Sequence, residues 1–384
     1  MANDLSAVMP KILARGLLAL RERAVMPRLV NGDYSEDAKE RGDTIDVPIP
    51  TAVTVIDVTP SNTPPAGVDT TPTKVQVQLN NWKQNQPFYL SDKDMVEVDK
   101  NKHFLPMQMD EAINALAVSV NTDIHNEYLG VYGYYGTAGT TPFGSGVGVK
   151  SATQGRKVLN QQKCPKNNRR GVLDFDAEAA ALELDAFSDA DKVGSALVKM
   201  EGEVGRKFGV DWVADDNVIT HTAGVPGGTP LVNGAHTAAD TTIAMDGGGA
   251  AGTYLIGDII TFAGHTQTYV ITANTTLDGS GVGILPIDPP LQANVADNAA
   301  ITLKASHVVN MLFHRDAFAF AMRPLTEESA GMDLGPKIIS AQDPVTGLVM
   351  RLEVSRQHKR VAWEFDILWG AKLVRPELAM RLVG

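Results

Sequence analysis

Between Phe208 and Leu303 the chain carries no lysine, no arginine and no glutamate. All three residue types recur steadily on either side. Inside the window the acids are all aspartates (Asp211, Asp215, Asp216, Asp240, Asp246, Asp258, Asp278, Asp288 and Asp297), set among Gly, Thr, Ala and Val. Gly, Thr and Asp populate tight turns while Val, Ile and Tyr alternate between them, so the window predicts an all-β unit. It lies in mid-chain, and the segments before and after it are therefore read together as one body.

The 384 residues suggest about two domains. At 43% hydrophobic and 21% charged, the composition is that of an ordinary globular protein, with no apolar run long enough to span a membrane. The stretch Met1 to Pro10 lacks the basic start and apolar centre of a secretion signal. Cys164 is the single cysteine, which precludes an intramolecular disulfide and suits a reducing compartment. A formal charge of −11 argues against a surface that grips nucleic acid as a whole, since that grip requires clustered cations.

Along the chain, Val8, Ile12, Leu17 and Leu20 recur at helical spacing, limited by Pro10 and Pro27. This amphipathic stretch fits either a helix packed on its own domain or an arm that docks elsewhere. From Gly42 to Pro50, Ile45, Val47 and Ile49 alternate with Asp46 and Pro48, and Val53, Val55 and Val58 continue the extended pattern. A Pro/Thr-rich loop, Thr59 to Thr73, precedes a second alternating run from Lys74 to Asn80. Strand, long polar tip and strand predict a hairpin arm, which is only marginally stable unless it lies on a body or a neighbour. Phe104 to Leu129 is the strongest helix, with Met109, Ile113, Leu116, Val120 and Ile124 in one stripe. Its end runs into Tyr128, Tyr132, Tyr134 and Tyr135, a cluster read as packing or subunit contact because no cations accompany it. Val172 to Phe175 reads as a strand; Ala177 to Leu184, Asp191 to Arg206 and Met311 to Met322 read as helices. The β unit runs from about His221 to Leu303, with candidate strands at Thr253–Ile256, Ile259–Phe262, Thr268–Ile271 and Gly283–Ile287. Leu348–Val354 and Val361–Leu368 are strands, and Lys372 to Gly384 closes the chain.

Catalytic motifs find no support. In Gly144-Ser145-Gly146-Val147-Gly148-Val149-Lys150-Ser151, Val149 separates the last Gly from Lys150, which breaks the phosphate-loop pattern. Arg41-Gly42-Asp43 is short enough to occur by chance. The eight histidines show no metal-helix spacing. Asp189, Asp191 and Gly194 fall at calcium-loop places, but Val193 and Met200 stand where oxygen ligands belong. No enzyme activity, metal or cofactor is expected.

Several motifs, in order, carry a family resemblance. They are Leu20-Arg21, Ala24-Val25-Met26 through Leu29-Val30-Asn31, and Asp33-Tyr34; Gly42-Asp43-Thr44-Ile45-Asp46-Val47-Pro48-Ile49-Pro50; Phe262-Ala263-Gly264 with Tyr269-Val270-Ile271; and Asp366-Ile367-Leu368-Trp369-Gly370 with Arg375-Pro376-Glu377-Leu378-Ala379 and Arg381-Leu382. Together they resemble the major capsid (coat) proteins of tailed bacteriophages, in the subgroup with an inserted β domain. The resemblance implies an α+β Hong Kong ninety-seven type capsid fold. Its parts would be an N-terminal arm (1–40), an extended hairpin loop (41–90) and a peripheral domain with a long spine helix (91–150). An axial domain with a C-terminal return would take 151–220 and 304–384, around an inserted β domain (221–303). It also implies hexamers and pentamers in an icosahedral shell, a scaffolding protein and a portal as partners, and packaged DNA close by without sequence-specific binding. Assembly would take place in the host bacterial cytoplasm, with no membrane partner. Arg41, Asp43, Lys74, Trp82 and Lys83 are the candidate subunit contacts, where exposed ion pairs are worth ~0–1 kcal/mol each. The alternative is a secreted or surface-exposed binding or adhesion protein with a Gly/Thr-rich β module, which the missing secretion signal disfavours.

Overall fold

The computed structural model describes residues 9–34, 43–50, 55–58, 60, 62, 67, 72–91, 107–188, 204–325, 337–342 and 348–384. The N-terminal amphipathic stretch forms two helices, α1 (Met9–Arg23) and α2 (Met26–Leu29), broken at Ala24-Val25. Pro27 occupies the first turn of α2, where a missing N–H is harmless. Strands β1 (Thr44–Ile49) and β2 (Thr73–Gln78) pair antiparallel, with Ile45 opposite Val77 and Val47 opposite Val75. β3 (Asn81–Gln84) and β4 (Phe88–Ser91) follow. Helix α3 (Met107–Asn126) buries its whole apolar stripe, Met109, Ile113, Leu116, Val120 and Ile124. The same core takes Ile12, Leu13, Leu17 and Leu20 from α1, so this helix packs on its own subunit.

The chain then builds β5 (Gly133–Gly136), α4 (Lys150–Gln161), β6 (Arg169–Leu173), α5 (Phe175–Leu182), β7 (Gly205–Lys207), β8 (Val210–Ala214) and β9 (Thr220–His221). Eight strands lie between residues 231 and 303: β10 (Leu231–Val232), β11 (Thr242–Asp246), β12 (Thr253–Tyr254), β13 (Ile259–Phe262), β14 (Tyr269–Ile271), β15 (Thr275–Thr276), β16 (Gly283–Asp288) and β17 (Ile301–Leu303). Six of them make one sheet in the order β10-β11-β16-β14-β13-β17, over a separate core that includes Ile243, Tyr254, Phe262, Tyr269 and Leu285. β18 (His307–His314) pairs with β9 and re-enters the earlier sheet beside β6. That sheet reads β5-β23-β18-β6-β8-β7, with β23 (Ala379–Val383) bringing the chain's last strand between β5 and β18. β19 (Phe318–Met322), β20 (Lys337–Gln342), β21 (Val349–Gln357) and β22 (Arg360–Leu373) make the third large sheet. One edge of the 14-residue β22 pairs with β4 and then β3, and the other with β21 and then β19.

Residues 311–322 correct one expectation. In place of a helix, β18 turns through a short 3-10 segment, Arg315–Ala317, into β19. Nearly every residue of both strands is buried. A strand covered on both faces reads as a continuous apolar run without a period of two, which sequence pattern does not separate from a buried helix. His314 caps the turn by accepting from the Asp316 N–H at 3.2 Å. Arg41, Phe104 to Pro106, the helix expected from Asp191 up to residue 203 and most of the Pro/Thr loop lie outside the described residues.

The hairpin crosses β22 at Gly370. A Cβ there would lie well inside contact distance of the Gln78 carbonyl oxygen, a backbone atom with no rotamer to yield. Gly370→Ala is expected to cost about 1–3 kcal/mol by overpacking. It should also loosen the hairpin, read as a lower urea midpoint with faster proteolysis between residues 44 and 78.

Candidate functional site

The hairpin has a fastened root and an uncovered tip. Ile45, Val47, Val77 and Leu79 are buried against Ala319, Ala321, Leu368 and Val374. Leu79 N–H donates to the Asp43 carbonyl at 2.8 Å. Beyond β1, Val55 is 98% exposed, Ile56 61% and Val58 94%. Three aliphatic side chains within four positions thus stand largely exposed among the described residues. Isolated exposed apolar residues are ordinary, but a contiguous set on a projecting segment marks a contact surface.

Most of the candidate contact residues spend their polar groups within the subunit. Arg323 Nη2 donates to Asp43 Oδ1 at 2.7 Å. Lys74 Nζ donates to Asp46 Oδ2 at 2.7 Å across the hairpin. Lys83 Nζ donates to Ser119 Oγ at 2.8 Å, reaches Asp123 at 3.5 Å and lies 5.3 Å from the centroid of the Trp369 ring. These contacts pin β3 to α3. Trp82, next to Lys83 on β3, donates its indole N–H to Asp366 Oδ2 at 2.8 Å but leaves 61% of itself exposed. Arg351 holds the same carboxylate with two donors, at 2.9 and 2.5 Å, and that hydrogen bonding raises the pKa of its guanidinium. Trp82 and Lys83 come together on one strand, while Asp43 and Lys74 sit apart on the hairpin. Sequence pattern did not single out Tyr89 on β4, which is 47% exposed with the Arg360 guanidinium 3.8 Å over its ring.

A second polar cluster joins the 231–303 sheet to the rest. Arg381 of β23 is fully buried and donates to the carbonyls of Gly257 (2.8 Å) and Tyr128 (3.0 Å). Its guanidinium lies 4.9 Å from the Tyr128 ring centroid. Burial pushes the Arg381 pKa down to about 10, so it remains a cation at neutral pH. Tyr128 O–H donates to His221 Nδ1 at 3.0 Å, and His221 Nε2 donates to Asp258 Oδ1 at 2.9 Å. Asp258 also accepts the N–H groups of Gly224 and Leu255. Gly257 has φ of +90°, and a side chain there would strike Leu129 and His221. Tyr132 packs on Ile259 and Val270, and its carbonyl accepts from Thr268 Oγ1 at 2.6 Å. The tyrosine cluster is thus largely the seam between two sheets.

Three other aspartates of the cation-free window follow the same logic. Asp278 accepts the N–H groups of Ser280 and Val282, Asp297 accepts Gly234 N–H, and Asp240 accepts Thr237 N–H. These bonds lower the pKa of Asp278 and Asp240. Backbone donors in turns replace cations as their partners. At Asp215 burial pushes the pKa up, but bonds from His125 and Asn217 outweigh it and the net direction is down. Asn121 bridges this carboxylate to the Met26 N–H at 2.7 and 2.8 Å, tying α2 to α3. Among the described residues no group of three or more His, Cys, Asp or Glu side chains could hold a metal ion. No described helix is long and apolar enough to cross a membrane.

The whole arrangement is similar to that of a structure from Mycobacterium phage Che8, with a TM-score of 0.51 and 14% identity over 94% of this chain and 90% of that one. The two chains share a fold. Other similar structures are the capsid of the cyanophage P-SCSP1u (TM-score 0.43, 11% identity, 88% of this chain and 83% of that one) and the mature capsid of bacteriophage PhiM1 (0.44, 9%, 90% and 82%). No family model and no curated protein matches the sequence.

The seam generates a pH prediction. Burial, helped by the nearby Arg381 cation, pushes the His307 pKa down to about 4 from 6.5, against the bond its Nδ1 makes to the Ala305 carbonyl. The folded chain therefore binds fewer protons than the unfolded one between those values. The stability tied to a neutral His307 is complete above pH 6.5 and is lost as the pH falls toward about 4, by at most ~3 kcal/mol. The urea midpoint should drop over this range, and His307→Gln should flatten that drop rather than merely offset the curve.

Proposed function

We propose that this chain is a major capsid protein that self-assembles into the icosahedral shell enclosing a phage double-stranded DNA genome, without enzymatic activity or cofactor. The carrying observation is the bare aliphatic tip, Val55, Ile56 and Val58, on a hairpin whose root is fastened to a capsid-type fold. Covering such side chains is worth roughly 1.5–3 kcal/mol each. The lone subunit leaves that gain unrealised, and a neighbouring copy supplies the cover. In this reading residues 1–40 are the arm, 41–90 the extended loop, 91–150 the peripheral domain with α3 as its spine, and 151–220 with 304–384 the axial domain and its return. Residues 221–303 are an inserted domain that faces away from the genome, since the inserted sheet holds no lysine or arginine. Hexamers and pentamers, a scaffolding protein and a portal complete the assembly, which forms in the host cytoplasm. Trp82 and Tyr89 on the β3 and β4 edge add aromatic contact area. The net charge of −11 keeps the wall from holding DNA too tightly for release.

The test is to express the chain alone and with a candidate scaffolding protein, and to inspect both by negative-stain microscopy. Polyhedral shells, tubes or sheets are expected, and monomers under both conditions would count against the proposal. V55D/V58D should retain the far-ultraviolet circular dichroism and melting temperature of the parent while sedimenting as a subunit. Normal shells from that variant would remove the hairpin tip from the account.

A further inference from the structure

A cleft of about 510 Å³ lies between the sheet that ends in β5 and the 231–303 sheet. Tyr134 and Tyr135 of β5 line one side, Thr261 and Thr268 contribute from the other, and Lys150 and Lys304 flank it. No Asp or Glu lines it. Neither lysine has a carboxylate partner among the described residues, and Lys304 instead rests 5.8 Å from the Tyr134 ring centroid. In a chain of formal charge −11, the cleft lining thus carries two lysines and no acid.

We propose that this cleft binds an extended, carboxylate-bearing segment of a partner polypeptide. The donors present are point cations and hydroxyls. The first-turn N–H groups of α4 are occupied: Lys150, Ser151 and Thr153 donate to the carbonyls of Val147, Gly148 and Val149. The nest of free N–H groups that suits a phosphate is therefore missing, and no arginine fork lines the cleft. Two cations are too few to track a nucleic-acid backbone. Carboxylates spaced along an extended chain match them, and tyrosine rings cover the stems and backbone between. β5 ends the order of its sheet and pairs with β23 alone among the described strands, the position at which an extended peptide adds by strand pairing. The proposal concerns the single subunit and does not depend on shell assembly.

The test is fluorescence anisotropy of a labelled short peptide alternating Glu and Thr, titrated with the full-length unassembled chain. K150Q/K304Q should lower affinity roughly tenfold, or ~1.4 kcal/mol. K157Q/K166Q removes the same charge at exposed positions outside the cleft and should change affinity less than about twofold, as should the charge-conserving K150R/K304R. Superimposable thermal melts establish that all the variants fold. Sodium glutarate and inorganic phosphate serve as competitors and should displace the peptide only at far higher concentration. Equal losses in the two glutamine variants, no binding by the parent chain, or displacement by glutarate or phosphate at the peptide's own concentration would overturn the proposal.

Discussion

The hairpin is buried at its root and bare at its tip, and the functional reading follows from that division. The root is held by close backbone approach at Gly370 and by a small apolar cluster against β19 and β22. The tip presents Val55, Ile56 and Val58 to solvent. A two-stranded arm does not generate enough burial for its own stability, so the fixed root sets its direction and a second surface must supply its remaining cover. Lys74 and Asp46 steady the strands from outside, and as an exposed pair they contribute ~1 kcal/mol or less. Burial of the exposed aliphatic side chains would therefore release more free energy than this ion pair contributes.

β22 coordinates the rest. Along one strand it receives β4 and β3 on one edge and β21 and β19 on the other. Through β3 it is tied to α3 by Lys83, and through Asp366 it holds Arg351 and the exposed Trp82. Displacement of the hairpin would be felt at α3 and at the aromatic edge together. The 231–303 sheet is coupled by a different device. Arg381, from the chain's last strand, bonds to one carbonyl on each side of the seam, and a Tyr–His–Asp chain runs beside it. A buried cation fixed by carbonyls and an aromatic ring gives that joint a defined geometry as well as affinity.

Much of this was legible in the sequence, for physical reasons that differ by element. The stripe of α3 repeats at 3.6 residues and the hairpin strands alternate at two, because each buries one face only. The cation-free window is legible as β structure, and several of its aspartates, Asp240, Asp278 and Asp297 among them, accept backbone N–H groups in turns. The stretch 311–322 was misread because burial on both faces erases the period of two. Single residues were harder. Asp43, Lys74 and Lys83 stand out as charges, but only the fold shows that each has an internal partner. The role of Arg381 depends on contacts 124 and 253 residues away in sequence, which no local pattern encodes.

The most direct measurement is hydrogen–deuterium exchange of residues 44–78 in the isolated subunit and in assembled particles. Protection at the root, Thr44–Ile49 and Thr73–Gln78, in both states, with protection of 55–58 appearing only on assembly, is the predicted result. Equal exchange of 55–58 in the two states would contradict the claim that this hairpin completes its burial on a neighbouring subunit.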